Sequence, residues 1–104
     1  MEVVNFDDSV RLFILSLPRD AQSKAYRRLD LLSEFGHELR LPYSKSVGRN
    51  LFELRVRGVV DVRIFYIFHH DRAILLHGFI KKSDKIPPQE LAIAYIRKRS
   101  LDMV

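Results

Sequence analysis

The hydrophobic positions change period once along the chain. Phe6, Val10, Phe13, Ile14 and Leu17 recur at helical spacing, with Asp7 or Asp8 placed to cap the start and Pro18 ending the run. Pro18 then suits the first turn of a second helix. Its buried stripe is Ala25, Leu29, Leu32 and Phe35, its wet face Arg27, Arg28, Asp30 and Glu34, and its C-terminal cap Gly36. These two segments predict a helical hairpin. Residues 37–50 read as a connection rich in turn-forming and basic residues. From Leu51 the period is two: Phe52, Leu54 and Val56 on one face, Glu53, Arg55 and Arg57 on the other. Gly58 opens a turn. Residues 62–69, rich in β-branched and aromatic side chains, predict a central strand. His70-Asp71-Arg72 predicts a tight hairpin loop, and residues 73–80 a third strand. Pro87-Pro88-Gln89-Glu90 opens a last helix, on which Leu91, Ala94 and Tyr95 are placed to face the sheet. The expected fold is α+β: an N-terminal helical hairpin and a C-terminal helix, packed on one face of an antiparallel sheet of at least three strands.

A chain of 104 residues, 47% hydrophobic, suits a single domain spanning residues 1–104 with its own core. With no cysteine, disulfides, thiolate catalysis and cysteine-based zinc sites are excluded. The four histidines, at 37, 69, 70 and 77, form no metal-ligand spacing, and no phosphate-binding glycine loop or nucleophile elbow is present. The acidic N-terminus lacks the pattern of a signal peptide, and the longest apolar stretch, Ile64 to Phe68, is too short for a bilayer. A cytoplasmic protein is expected.

Charge sharpens the picture. Residues 1–43 carry six Lys or Arg against seven Asp or Glu; residues 44–104 carry twelve against six. The excess positive charge therefore lies in the strand-forming half, as suits a polyanion or an acidic protein partner. If Arg63 shares a face with Arg55 and Arg57, three guanidiniums stand close together, an arrangement that repels unless an anion lies between them. Their forks suit phosphate and can stabilise a phosphoryl transition state. The competing structural reading pairs these arginines with Glu53 and Asp61. His69 and His70 read as exposed turn residues. His77 reads as a half-buried, hydrogen-bonded histidine whose titration range also suits acid–base work. Tyr43 and Tyr66 have rings able to stack on a base, but Tyr66 reads as core.

The stretches Leu51 to Arg57, Asp61 to Tyr66, and Leu76-His-Gly-Phe-Ile-Lys-Lys82 followed by Pro87, Pro88 and Glu90 resemble the RelE/ParE toxin superfamily, and most closely its phage-derived HigB-like branch. The resemblance covers nearly the whole chain. It implies the toxin of a type II toxin–antitoxin pair, a metal-independent endoribonuclease (an mRNA interferase) that inhibits translation by cutting mRNA on the ribosome. No cofactor is implied; the partners implied are a HigA-like helix-turn-helix antitoxin, the ribosome and mRNA, with no membrane. By position the resemblance assigns catalytic roles to Arg55, Arg63 and Lys82. This sequence departs from RelE in carrying Glu53 where RelE has a further lysine, and Ile86, Pro87 and Pro88 where RelE has a tyrosine. Glu53 as base and His77 as acid form a substitute pair. Lys45, Arg49, Arg57, Lys81 and Lys85 are the candidate RNA contacts. Two alternatives stay open: a ParE-like toxin that binds gyrase and cuts nothing, and a non-toxic binding module of the same fold.

Overall fold

The computed structural model describes residues 1–102. The element order is β1 (Glu2–Asn5), α1 (Asp8–Leu15), α2 (Arg19–Phe35), a short 3-10 turn at Gly36–Glu38, β2 (Ser44–Gly48), β3 (Leu51–Val56), β4 (Val62–His69), β5 (Arg72–Ile80) and α3 (Pro88–Asp102). The expected α+β fold is present. Its five strands lie in the order β1-β5-β4-β3-β2, antiparallel except for β1, which runs parallel to β5.

The hairpin forms where the helical period predicts it. Asp7 caps α1 by accepting from the Ser9 amide at 2.9 Å, and Gly36 ends α2 at φ +53°, a conformation side chains disfavour. Val10, Ile14, Leu17, Ala25 and Leu32 pack with Leu54, Val56, Val62, Ile64, Tyr66, Ala73 and Leu75 on one sheet face. Phe6 is no part of the first helix. Its amide donates to the Leu75 carbonyl, continuing β1 beside β5.

The single-face arrangement of helices is corrected. α3 covers the opposite face, where Leu51, Phe65, Ile67, Ile74, Leu76 and Phe79 form a second core with Ala94. The central strands are therefore buried on both sides, which is why residues 62–67 read as a near-continuous apolar run. The His69–Arg72 connection is a two-residue turn at His70 and Asp71, both at positive φ, and Arg72 pairs with His69 inside the sheet.

The register slips once. Phe65 pairs with His77 but Tyr66 pairs with Leu75, so Leu76 is an extra residue in β5. Leu76 joins the second core and the adjacent His77 reaches Glu90 of α3, so both consecutive side chains point to the α3 face. Gly78 is thereby turned toward α1, where the Phe13 ring lies so close that an added Cβ would meet it at 2.5 Å. On the same face the Tyr66 hydroxyl shares a buried hydrogen bond with Ser44 Oγ.

Replacing Gly78 with Ala is expected to cost about 1–3 kcal/mol by overpacking against Phe13. In urea unfolding, the Gly78→Ala, Phe13→Leu double variant should lose less than the sum of the single losses. Tyr66→Phe should cost about 1–3 kcal/mol by leaving the Ser44 hydroxyl buried without its partner, seen in the same assay.

Candidate nucleic-acid interface

Strand register sets the site out in rows on the α3 face, running from beneath the start of α3 toward the β3–β4 loop. His77, Phe65, Glu53 and Lys45 form one row across β5, β4, β3 and β2. Phe79, Arg63 and Arg55 form the next, closed on the β2 side by the Arg55 amide donating to the Tyr43 carbonyl. Outermost, the Lys81 amide donates to the Asp61 carbonyl, with Arg57 just past the end of β3.

Arg63 does share the face of Arg55 and stands directly opposite it, but no open guanidinium cluster results. The Arg63 side chain is 1% exposed. Its Nε and Nη2 donate to the two Asp61 carboxylate oxygens at 2.8 and 3.0 Å, and its Nη1 donates to Glu53 Oε1 at 2.6 Å. Arg55 Nε donates to the same Oε1 at 3.0 Å. A buried charge must be paired, and here two carboxylates alternate with two guanidiniums in one continuous chain. The pairing with Glu53 and Asp61 is thus the arrangement adopted.

This chain moves protonation equilibria. The hydrogen bond from Arg63 holds the Asp61 carboxyl below the usual carboxylate range against the opposing effect of burial, helped by the charges of Arg63, Arg57 and Lys81. The same bond, with the charges of Glu53 and Asp61, raises Arg63 further.

The remaining candidates fall into three groups. Arg55 is 17% exposed and, among the described residues, gives only its Nε to a carboxylate, so the rest of its fork is free to turn outward. Lys45 and Arg57 are exposed, Lys81 is half-buried, and Lys82 and Lys85 are exposed in the loop between β5 and α3. Arg49 lies apart from these, in the β2–β3 hairpin, where its carbonyl accepts from Lys98 Nζ. His77 is half-buried and hydrogen-bonded through Nε2 to Glu90 Oε2, stacked on Phe79. Glu53 is 2% exposed; its Oε2 is buried and has no partner.

Two members of the constellation escape the sequence-based site. Asp61 stands two residues before Arg63, the spacing that puts both on one side of a strand. Glu90, placed as an acid of the last helix's first turn, is the partner of His77. Among the described residues no group of three or more His, Cys, Asp or Glu is placed to hold a metal ion, and no helix is long and apolar enough to cross a membrane.

Removing Arg63 while Glu53 and Asp61 remain should be among the most damaging single changes. Arg63→Met is expected to lose about 3–5 kcal/mol in urea unfolding, because it leaves Glu53 buried with one partner fewer. Arg55→Ala, which leaves the Arg63–Glu53 bond in place, should lose much less. Because the folded-state pKa of Asp61 is depressed, its contribution is present above its ordinary value near 3.8 and is lost as pH falls through the lower folded value. Between pH 5 and pH 3 the melting temperature of wild type should therefore fall further than that of Asp61→Asn. Parallel curves would show that this bond adds nothing.

Among curated proteins, none matches the chain. A family model does, over residues 12–99, and its description is phage-derived protein Gp49-like (DUF891). That span runs from α1 through nearly all of α3 and includes every residue of the charged chain. The protein is therefore a member of the phage-derived Gp49-like family, a toxin-like family.

Proposed function

We propose that this protein is the toxin of a type II toxin–antitoxin pair in the cytoplasm, inhibiting translation by cutting mRNA on the ribosome and neutralised by a HigA-like helix-turn-helix antitoxin. The observation that carries this reading is the basic rim of Lys45, Arg55, Arg57, Lys81 and Lys82 gathered around a buried carboxylate at one end of the sheet. A rim of cations around a floor of neutralised charge suits a phosphodiester backbone.

The reaction is attack of a ribose 2′-hydroxyl on its adjacent phosphorus. The new O–P bond forms as the P–O5′ bond breaks, leaving a 2′,3′-cyclic phosphate and a 5′-hydroxyl. The 2′ proton goes to a base, and the leaving 5′-oxygen takes a proton from an acid. Arg55 is the guanidinium positioned to turn its free donors onto the crowded phosphate, with Lys82 and Lys81 at the edge. Arg63 acts through Glu53 and Asp61 and is a positioning residue. Glu53 and His77 share a row with Phe65 between them, about 10 Å apart by two inter-strand spacings. As base, Glu53 would use Oε2, the oxygen that neither arginine holds. His77, oriented by Glu90, would supply the proton.

A second reading is favoured by one observation: all three Arg63 nitrogens are bonded to internal carboxylates and Glu53 is sealed from solvent, as suits a toxin that binds gyrase and cuts nothing.

Inducible expression with primer extension on cellular mRNA separates the two. On the nuclease reading, wild type arrests growth and leaves mRNA cut within translated codons. Arg55→Ala should cut about 10²–10³-fold more slowly with its fold intact, and Lys82→Ala more slowly by a smaller factor. Growth arrest with intact mRNA, undiminished in Arg55→Ala and accompanied by inhibited supercoiling in a purified gyrase assay, would replace the first reading with the second.

A further inference from the structure

A cleft of about 480 Å³ lies on the other side of the sheet, between the first turns of α2 and the loop joining β3 to β4. Pro18 and Ala21 form one wall and Val56, Val59 and Val60 the other, with Lys24 and Arg27 among the lining side chains. Lys24 Nζ donates to the Arg57 carbonyl at 2.9 Å, tying the loop to α2 and holding the cleft's shape.

Three features define what fits there. Val59 is 99% exposed at the tip of its loop, so an apolar β-branched side chain stands wholly in water beside an apolar wall. The lining charge is two cations against the single Asp20. The first turn of α2 carries no side-chain cap: Pro18 occupies the cap position and offers no acceptor to the free amides there. Apolar walls call for apolar side chains, while excess cations and uncapped amides call for carboxylates.

We propose that this cleft is a docking site for an acidic amphipathic peptide segment of a protein partner, its apolar side chains against Val59, Val60 and Ala21 and its carboxylates on Arg27 and the start of α2. On the toxin reading, on which this part rests, that segment belongs to the neutralising antitoxin. The Arg57–Val60 loop separates the cleft from the basic rim, since Arg57 belongs to the rim and Val59 to the cleft. A bound segment therefore sits beside the RNA-facing surface without having to mimic RNA. A nucleic-acid strand would leave the valine walls unused.

Fluorescence anisotropy with three labelled probes tests this: a peptide alternating Glu and Leu at helical spacing, the same peptide with Ser for Leu, and a ten-nucleotide oligouridine. The first should bind at least tenfold more tightly than the second. Val59→Asp and Arg27→Glu, both at exposed positions, should each weaken it at least tenfold while melting as wild type does. Equal binding of the two peptides, or binding unmoved by Val59→Asp, overturns the proposal; so does oligouridine binding lost in Arg27→Glu when neither peptide binds. Growth arrest on induction is read separately. Val59→Asp should arrest growth as wild type does, and absence of arrest in both would remove the toxin reading while the anisotropy result on the cleft stands.

Discussion

The rest of this end of the molecule depends on the requirement that Arg63, buried to 1% exposure, be fully paired. A guanidinium with no solvent must place its donors on acceptors inside the protein, and it does so on Asp61 and Glu53. That fixes Asp61 at the mouth of β4 and holds the Glu53 side chain over β3. It also fixes Glu53 Oε1, the oxygen on which Arg55 rests. Ion pairs of this kind add little stability over a well-packed apolar substitute, and their loss in part is costly. The chain therefore serves to fix geometry: it sets which cations are committed inward and which are left for the surface.

The bulge in β5 is the second constraint, and it joins the two cores. By adding Leu76, it lets one strand supply an apolar side chain under α3 and, immediately afterwards, a histidine to the α3 residue Glu90. With strict alternation His77 would face α1, and Phe13 would have to give up the space it fills against Gly78. The lower half of β5 keeps Phe79 beside Arg63 because of this one extra residue. The position of the charged rows relative to α3 is thus decided by backbone irregularity as much as by side-chain chemistry.

These two constraints explain what could be read from the sequence. The helical hairpin and the β3–β4–β5 meander were legible from their periods, and the last helix from the prolines and acid that open it. β1 was not, since Val3 and Val4 are each half-buried against a different core and a four-residue strand of that kind shows no alternation. β2 was hidden for the opposite reason. Ser44-Lys45-Ser46-Val47-Gly48 is an edge strand kept polar, which discourages further pairing and reads as a loop. In the site, alternation allowed Arg63 to share the face of Arg55, as the register bears out, but it carries no information on burial. Whether an arginine meets an external anion or an internal carboxylate depends on side-chain torsions and on what covers the strand. Asp61 and Glu53 offered the internal answer, and proximity along the strands made it the cheaper one.

Because the buried chain pairs two carboxylates with two guanidiniums, it contributes almost no net charge to the surface. The field felt outside comes from Lys45, Arg57, Lys81, Lys82 and Lys85, together with whatever part of Arg55 turns outward. Exposed cations of this kind act over about a Debye length of 8–10 Å at ordinary salt and draw a polyanion in without specifying its sequence. On the proposed function, specificity must then come from closer contacts, which fall to the half-buried Arg55 and His77, because Phe65 and Phe79 are buried in the second core. On that reading, attraction and recognition fall to different residues. On the proposed function, a change in the rim would alter how strongly a polyanion is drawn, while a change in the Asp61–Arg63–Glu53 chain would alter whether the charged rows hold their shape.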